Sequence, residues 1–213
     1  QKHEPVALIL TRQAIPTLDR QKYAPADGLR KGAYVLSDAP NGKPDVLLLA
    51  SGSEVSLALD AQEQLKADGI QARVVSFPSF EIFEHYCHKH PQYREAVLPS
   101  SVTARVSVEM ASTFGWDRYT GSYGTSVGMH SFGASAPLKH LQKKFGFTAE
   151  TVVSAARQQV ERAREGALER LQFPVHGDPE RLEDAGRRVD PTSPRRGPGR
   201  DPLDLHDHQR PAG

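Results

Sequence analysis

Apolar residues fall along the chain in short continuous runs separated by helical patterns. Pro5–Leu10 (PVALIL) and Asp45–Ala50 (DVLLLA) are unbroken apolar stretches. Runs of that length, without alternation, predict strands buried on both faces. The first ends in Thr11-Arg12-Gln13, a polar switch where a strand would leave its sheet. After the second, Val55, Leu57, Leu59 and Leu65 mark a helix over Val55–Ala67, which Gly69 can cap. Ala72–Phe77 (ARVVSF) is the next strand, so this part reads as a strand–helix–strand unit with parallel strands. Ser79 then caps a short helix through Phe83 and Tyr86, and Pro91–Val97 forms another. Val102–Val108 alternates like a strand, Glu109 to Tyr123 is irregular, and Thr125–Met129 is a short strand. Pro137 suits a first helical turn. A last helix starts at Thr148 and runs to about Leu171, with Val152, Val153, Ala156 and Val160 on one face. The predicted fold is α/β: a three-layer α/β/α sandwich around a mostly parallel, five-stranded sheet.

Composition divides the chain. Residues 173–213 hold 7 of the 16 prolines, and Phe173, Val175, Val189 and Thr192 are their only aromatic or β-branched residues. Such a stretch cannot bury enough apolar surface to offset chain entropy, so a disordered tail is expected there. Ala14–Lys43, with Pro16, Pro25, Gly28, Gly32, Pro40 and Gly42, reads as a linker with a possible short strand at Ala33–Ser37. The folding part is ample for one α/β core. The start at Gln1, almost directly before a core strand, suggests a piece of something longer.

Charge excludes more than it suggests. Lys+Arg 27 against Asp+Glu 26 leaves a net charge of +1, which gives no argument for a nucleic-acid partner or a membrane surface. One cysteine excludes an internal disulfide framework and suits a reducing compartment. No apolar run reaches the roughly 18 residues of a membrane-spanning helix.

Four places carry candidate chemistry. Ser51-Gly52-Ser53-Glu54 lies at a strand-to-helix turn, where helix amides can bind an anion or be capped by the serines and Glu54; capping is the favoured reading. His85, Cys87, His88 and His90 could hold zinc, but their spacing matches no standard site and a solvated loop is favoured. Arg12 directly follows a strand, where α/β proteins place ligand groups, and its guanidinium fork suits phosphate or carboxylate. Glu109 also ends a strand, with a salt bridge as the favoured reading.

Read in order, the phrases TRQ-x-x-P (from Thr11), YVL-x-D (from Tyr34), ASGSEV (from Ala50), RVVS-x-P (from Arg73), YRE-x-VLP (from Tyr93), FG-x-SAP (from Phe132) and FGFT (from Phe145) closely resemble the C-terminal third of transketolases. The resemblance spans about residues 5–160. It implies a homodimeric thiamine-diphosphate transferase with Mg²⁺ or Ca²⁺ at the diphosphate. Such an enzyme moves a two-carbon ketol unit between sugar phosphates in the cytoplasmic pentose phosphate pathway or its photosynthetic counterpart. By that resemblance residues 1–20 are the last strand and exit of the pyrimidine-binding domain, 21–43 a linker, 44–172 the C-terminal domain and 173–213 an extra tail. The tail's composition fits a frameshift or run-on more readily than a native extension. The family's arginine that contacts the substrate phosphate falls on Arg12. No catalytic, cofactor-binding or metal residue carries over, since those motifs lie upstream of Gln1, so the fragment alone is expected to be inactive. The alternative from another class is a non-catalytic regulatory or dimer-supporting α/β module. A related synthase or a 2-oxo acid dehydrogenase β-subunit would share the domain order without this set of phrases.

Overall fold

The computed structural model describes residues 5–172, with side chains to residue 167. The tail expected at 173–213 lies outside the described residues. Five strands form one sheet: β1 (Tyr34–Ser37), β2 (Val46–Ala50), β3 (Ala72–Ser76), β4 (Arg105–Ser112) and β5 (Thr125–Met129). Their spatial order is β1-β3-β2-β4-β5. β2, β3, β4 and β5 run parallel, and β1 closes one edge antiparallel to β3. The helices are α1 (Val55–Ala67), α2 (Phe80–Lys89), α3 (Pro91–Val97), α4 (Asp117–Thr120), α5 (Leu138–Phe145) and α6 (Ala149–Gln172).

The middle strand explains the layering. Every residue of β2 is buried, because side chains alternate across the sheet and both faces are covered. Val46, Leu48 and Ala50 join Val74, Val106 and Val108 under α1 and α6, where Ala58, Leu65, Val152, Ala156 and Val160 pack. This face is aliphatic, as the small and branched residues of both helices dictate. Leu47 and Leu49 point the other way, toward Phe77, Phe83, Cys87, Val97, Trp116 and Tyr119. That face is aromatic: Phe77 meets Phe83, Trp116 and Tyr119 at centroid distances of 4.9, 5.7 and 4.4 Å. Edge and tilted contacts of this kind suit ring quadrupoles.

Two arginines complete the aromatic face. Arg73 and Arg105 both pair in register with Leu47, one from each neighbouring strand. Arg73 is buried, and its guanidinium holds Asp38 through two bonds of 2.7 and 2.9 Å while Nη1 donates to the Ala96 carbonyl at 2.9 Å. Arg105 donates to the carbonyls of Val102, Tyr119 and Pro99 at 2.8–2.9 Å. The C-terminal end of α3 and the loop after it are thus gripped from both sides, and these arginines satisfy carbonyls that a helix end leaves orphaned.

Local signals set several boundaries. The Ser79 hydroxyl accepts the Ile82 N–H at 3.2 Å and caps α2. Gly32 has φ +81°, and a Cβ there would stand 2.1 Å from the Phe83 backbone nitrogen, so the entry to β1 and the start of α2 require glycine.

The largest departure from the sequence reading is Pro5–Leu10. It is not a strand, and Val6, Leu8, Ile9 and Leu10 are 66–91% exposed. A strand needs neighbours to satisfy its backbone, and no described strand pairs with this segment. β4 begins later than expected and continues to Ser112, because residues 102–104 form the turn held by Arg105. The stretch read as irregular also contains α4, anchored by buried Trp116 and Tyr119. The possible short strand at Ala33–Ser37 is β1, which joins the sheet antiparallel to β3.

Candidate functional site

The chain leaves β2 toward β3 on one side and then crosses to β4 on the other. The carboxyl ends of β2 and β4 therefore flank the point where strand order reverses, where open α/β sheets form their crevice. Ser51–Glu54 follows β2, and Glu109 lies in the last part of β4.

This turn is capped from within. Glu54 is buried, and its carboxylate accepts the Ser53 hydroxyl at 2.6 Å. Burial pushes its carboxyl upward, while the Ser53 hydroxyl and the backbone N–H groups of Glu54 and Met110 pull it back. A carboxylate already occupies the positive end of α1, so the turn is closed to an external anion. Neither serine caps the helix as expected: Ser51 makes no side-chain bond to the turn, and Ser53 spends its hydroxyl on Glu54, whose carboxyl takes its own backbone N–H.

Glu109 corrects a sequence expectation. It forms no salt bridge among the described residues. Instead burial, then the charge of Glu54, raises its carboxyl to about 7. Sequence reasoning missed this pair, because the two glutamates meet only through the parallel pairing of β2 with β4.

The histidine cluster does not converge. His85, His88 and His90 are exposed on and after α2, whereas Cys87 is buried against the aromatic core. His90 stacks on Tyr86 at 4.5 Å. No group of three or more metal-ligating side chains forms among the described residues. Burial raises the Cys87 thiol, which removes the thiolate a nucleophile requires.

Arg12 is exposed, and makes no hydrogen bond or ion pair among the described residues. The nearby order is local: the Gln13 N–H donates to the Thr11 hydroxyl at 3.2 Å. Nothing else described comes to Arg12, so this chain presents the residue without building a pocket around it.

A hollow of about 640 Å³ lies between α1, α5 and the start of α6, where Lys139 and Lys143 are balanced by Asp60 and Glu150. The polar groups of its wall bond locally: the Thr148 hydroxyl accepts the Thr151 N–H at 3.3 Å, and Glu150 draws on its own backbone N–H. No helix among the described residues is long and apolar enough to cross a membrane.

Comparison with known proteins fits this picture of a domain without a complete site. Residues 32–148 match the family described as Transketolase-like TK C-terminal domain. The chain belongs to the transketolase family. A transketolase of Halalkalibacterium halodurans is 51% identical over 156 residues, which is 73% of this chain and 23% of that protein. A chloroplastic transketolase of Solanum tuberosum is 46% identical over 74% of this chain and 21% of its own length. A crystal structure of a Pichia stipitis transketolase in complex with sedoheptulose 7-phosphate superposes with a TM-score of 0.63 at 36% identity, covering 72% of this chain and 21% of that one. The chain thus spans under a quarter of the length of these relatives. The parallel sheet, the edge strand β1 and the helix layers are those of a transketolase C-terminal domain.

Proposed function

We propose that this chain is the C-terminal part of a transketolase that transfers a two-carbon ketol unit between sugar phosphates, as a cytoplasmic homodimer in the pentose phosphate pathway. The observation that carries this reading is the 51% identity to a transketolase over 156 residues. The ordered phrases from Thr11 to Thr148 support it.

Residues 1–20 serve as the last strand and exit of the pyrimidine-binding domain, 21–43 as the connection, and 44–172 as the C-terminal domain. The thiamine diphosphate and the Mg²⁺ or Ca²⁺ bind outside this chain. The residues present do not fit that group. The α1 N-terminus is occupied by Glu54, and no triad of metal ligands forms among the described residues. No catalytic step is therefore assigned to them, and the chain alone does not turn over.

The residue with a direct role is Arg12. Its planar guanidinium donates two parallel bonds to a phosphate, which fixes which end of the sugar faces the reacting centre. In the complete enzyme, Arg12→Ala raises KM for a phosphorylated ketose donor on the order of 10–100-fold, the loss of one charge-assisted contact of about 1.5–3 kcal/mol. It leaves KM for an unphosphorylated donor nearly unchanged. Steady-state kinetics on both donors checks this, and equal effects on the two would rule out the phosphate role.

A further inference from the structure

Helix α2 repeats a Phe-Glu pair about one turn apart, as Phe80-Glu81 and Phe83-Glu84. The second pair has an occupant. The Arg94 guanidinium lies 5.2 Å over the Phe83 ring and pairs with Glu84 at 2.6 Å. A ring face and a carboxylate together hold a guanidinium by its charge and by its N–H groups.

The first pair opens on a hollow of about 590 Å³ between α2 and α4. Phe80, Glu81 and Glu84 line it from α2, and Asp117, Arg118 and Tyr119 from α4. Gly115, at φ +89°, turns the chain so closely past α2 that a Cβ there would stand 3.7 Å from the Phe80 ring. That turn brings Phe114 to the rim of the hollow with 91% of its surface exposed, so its ring face is open to a ligand.

The lining is acidic. Three carboxylates stand against one guanidinium, and Arg118 is already turned to Glu84 at 3.4 Å. Asp117 forms no ion pair among the described residues. These carboxylates do not converge as metal ligands do, which suits an extended cation with its charge spread over several N–H groups.

Tyr119 adds an independent sign. It is 1% exposed, and its hydroxyl has no hydrogen-bond partner. Phe77 and Phe80 hold its ring at 4.4 and 4.9 Å, so the side chain is not free to turn toward one. Glu84 shares the hollow, but its carboxylate goes to Arg94 and Arg118. A buried hydroxyl left unpaired carries a cost that a ligand's donor removes. The exposed Arg118 side chain is the part of the wall that can move aside to uncover it.

We propose that this hollow binds an organic cation bearing a guanidinium group. The cation lies over the Phe114 ring, Glu81 and Asp117 accept its N–H groups, and the Tyr119 hydroxyl oxygen accepts one more. A free guanidino compound and an arginine side chain of a partner protein offer the same chemistry.

The test is an NMR titration of the 213-residue chain with two probes, N-acetyl-arginine amide and agmatine, against potassium chloride at matched ionic strength. The Gly115, Asp117 and Tyr119 amides shift and saturate with Kd on the order of 1 mM. Tighter binding of the acetylated amide assigns the site to a partner's side chain, and tighter binding of agmatine to a free compound. Asp117→Asn combined with Phe114→Ser, both at exposed positions, weakens binding on the order of 10-fold. Tyr119→Phe weakens it about 3-fold without lowering the urea midpoint, because the hydroxyl it removes has no partner in the free chain. Shifts matched by potassium chloride, or probe affinity unchanged in these variants, overturn the proposal. A lowered urea midpoint in Tyr119→Phe also overturns it, since the hydroxyl would then be bonded within the chain.

Discussion

Two apolar runs of this chain share a sequence grammar and meet opposite fates. Val46–Ala50 is entirely buried as the middle strand, with β3 on one side and β4 on the other. Val6–Leu10 has the same aliphatic content and lies exposed without a described strand beside it. The difference is in what surrounds them. An apolar run specifies that a strand needs partners on both edges and cover on both faces; it does not specify that the same chain supplies them. Val46–Ala50 has its partners within about 60 residues. Val6–Leu10 has no partner strand among the described residues and forms none itself.

Substitutions can break this contrast. The largest effect belongs to Leu48→Ala, which opens a cavity at a fully buried position between α1 and α6 and costs about 2–5 kcal/mol. Urea denaturation of the 213-residue chain checks it. Arg73→Leu comes next, at about 2–3 kcal/mol. It removes the paired bonds to Asp38 and leaves the Ala96 and Val97 carbonyls without their donor. The same denaturation experiment reads that loss. Ile9→Ala is the smallest, within about 0.5 kcal/mol of zero in this chain, because Ile9 is 91% exposed. A large cost at Ile9 would mean that the segment packs where the structure leaves it open.

Much of the fold was legible in the residues, and the reasons are local. Val55–Ala67 and Thr125–Met129 were read to the residue, since an apolar periodicity and flanking turn signals delimit each. Pro91 and Ser79 announced the starts of α3 and α2. What escaped was tertiary. The grip of Arg73 and Arg105 on the end of α3 depends on both strands aligning with Leu47, a register no local pattern carries. The meeting of Glu54 with Glu109 needs β2 and β4 to be neighbours, although 55 positions separate the two glutamates. Arg12 was legible as a residue at the end of a strand-like run, from the order TRQ after PVALIL. Among the described residues no group comes to its guanidinium.

Residues 1–20 are proposed to pair as a strand only in the complete enzyme, whereas the partner strands of β2 lie within this chain. Hydrogen exchange compares the two directly, on the 213-residue chain and on the complete enzyme. The account predicts that Leu8, Ile9 and Leu10 exchange without protection in the chain, while Leu47–Leu49 approach the stability of the whole fold. In the complete enzyme Leu8–Leu10 gain protection comparable to β2. Strong protection of Leu8–Leu10 in the 213-residue chain, or none in the complete enzyme, would contradict it.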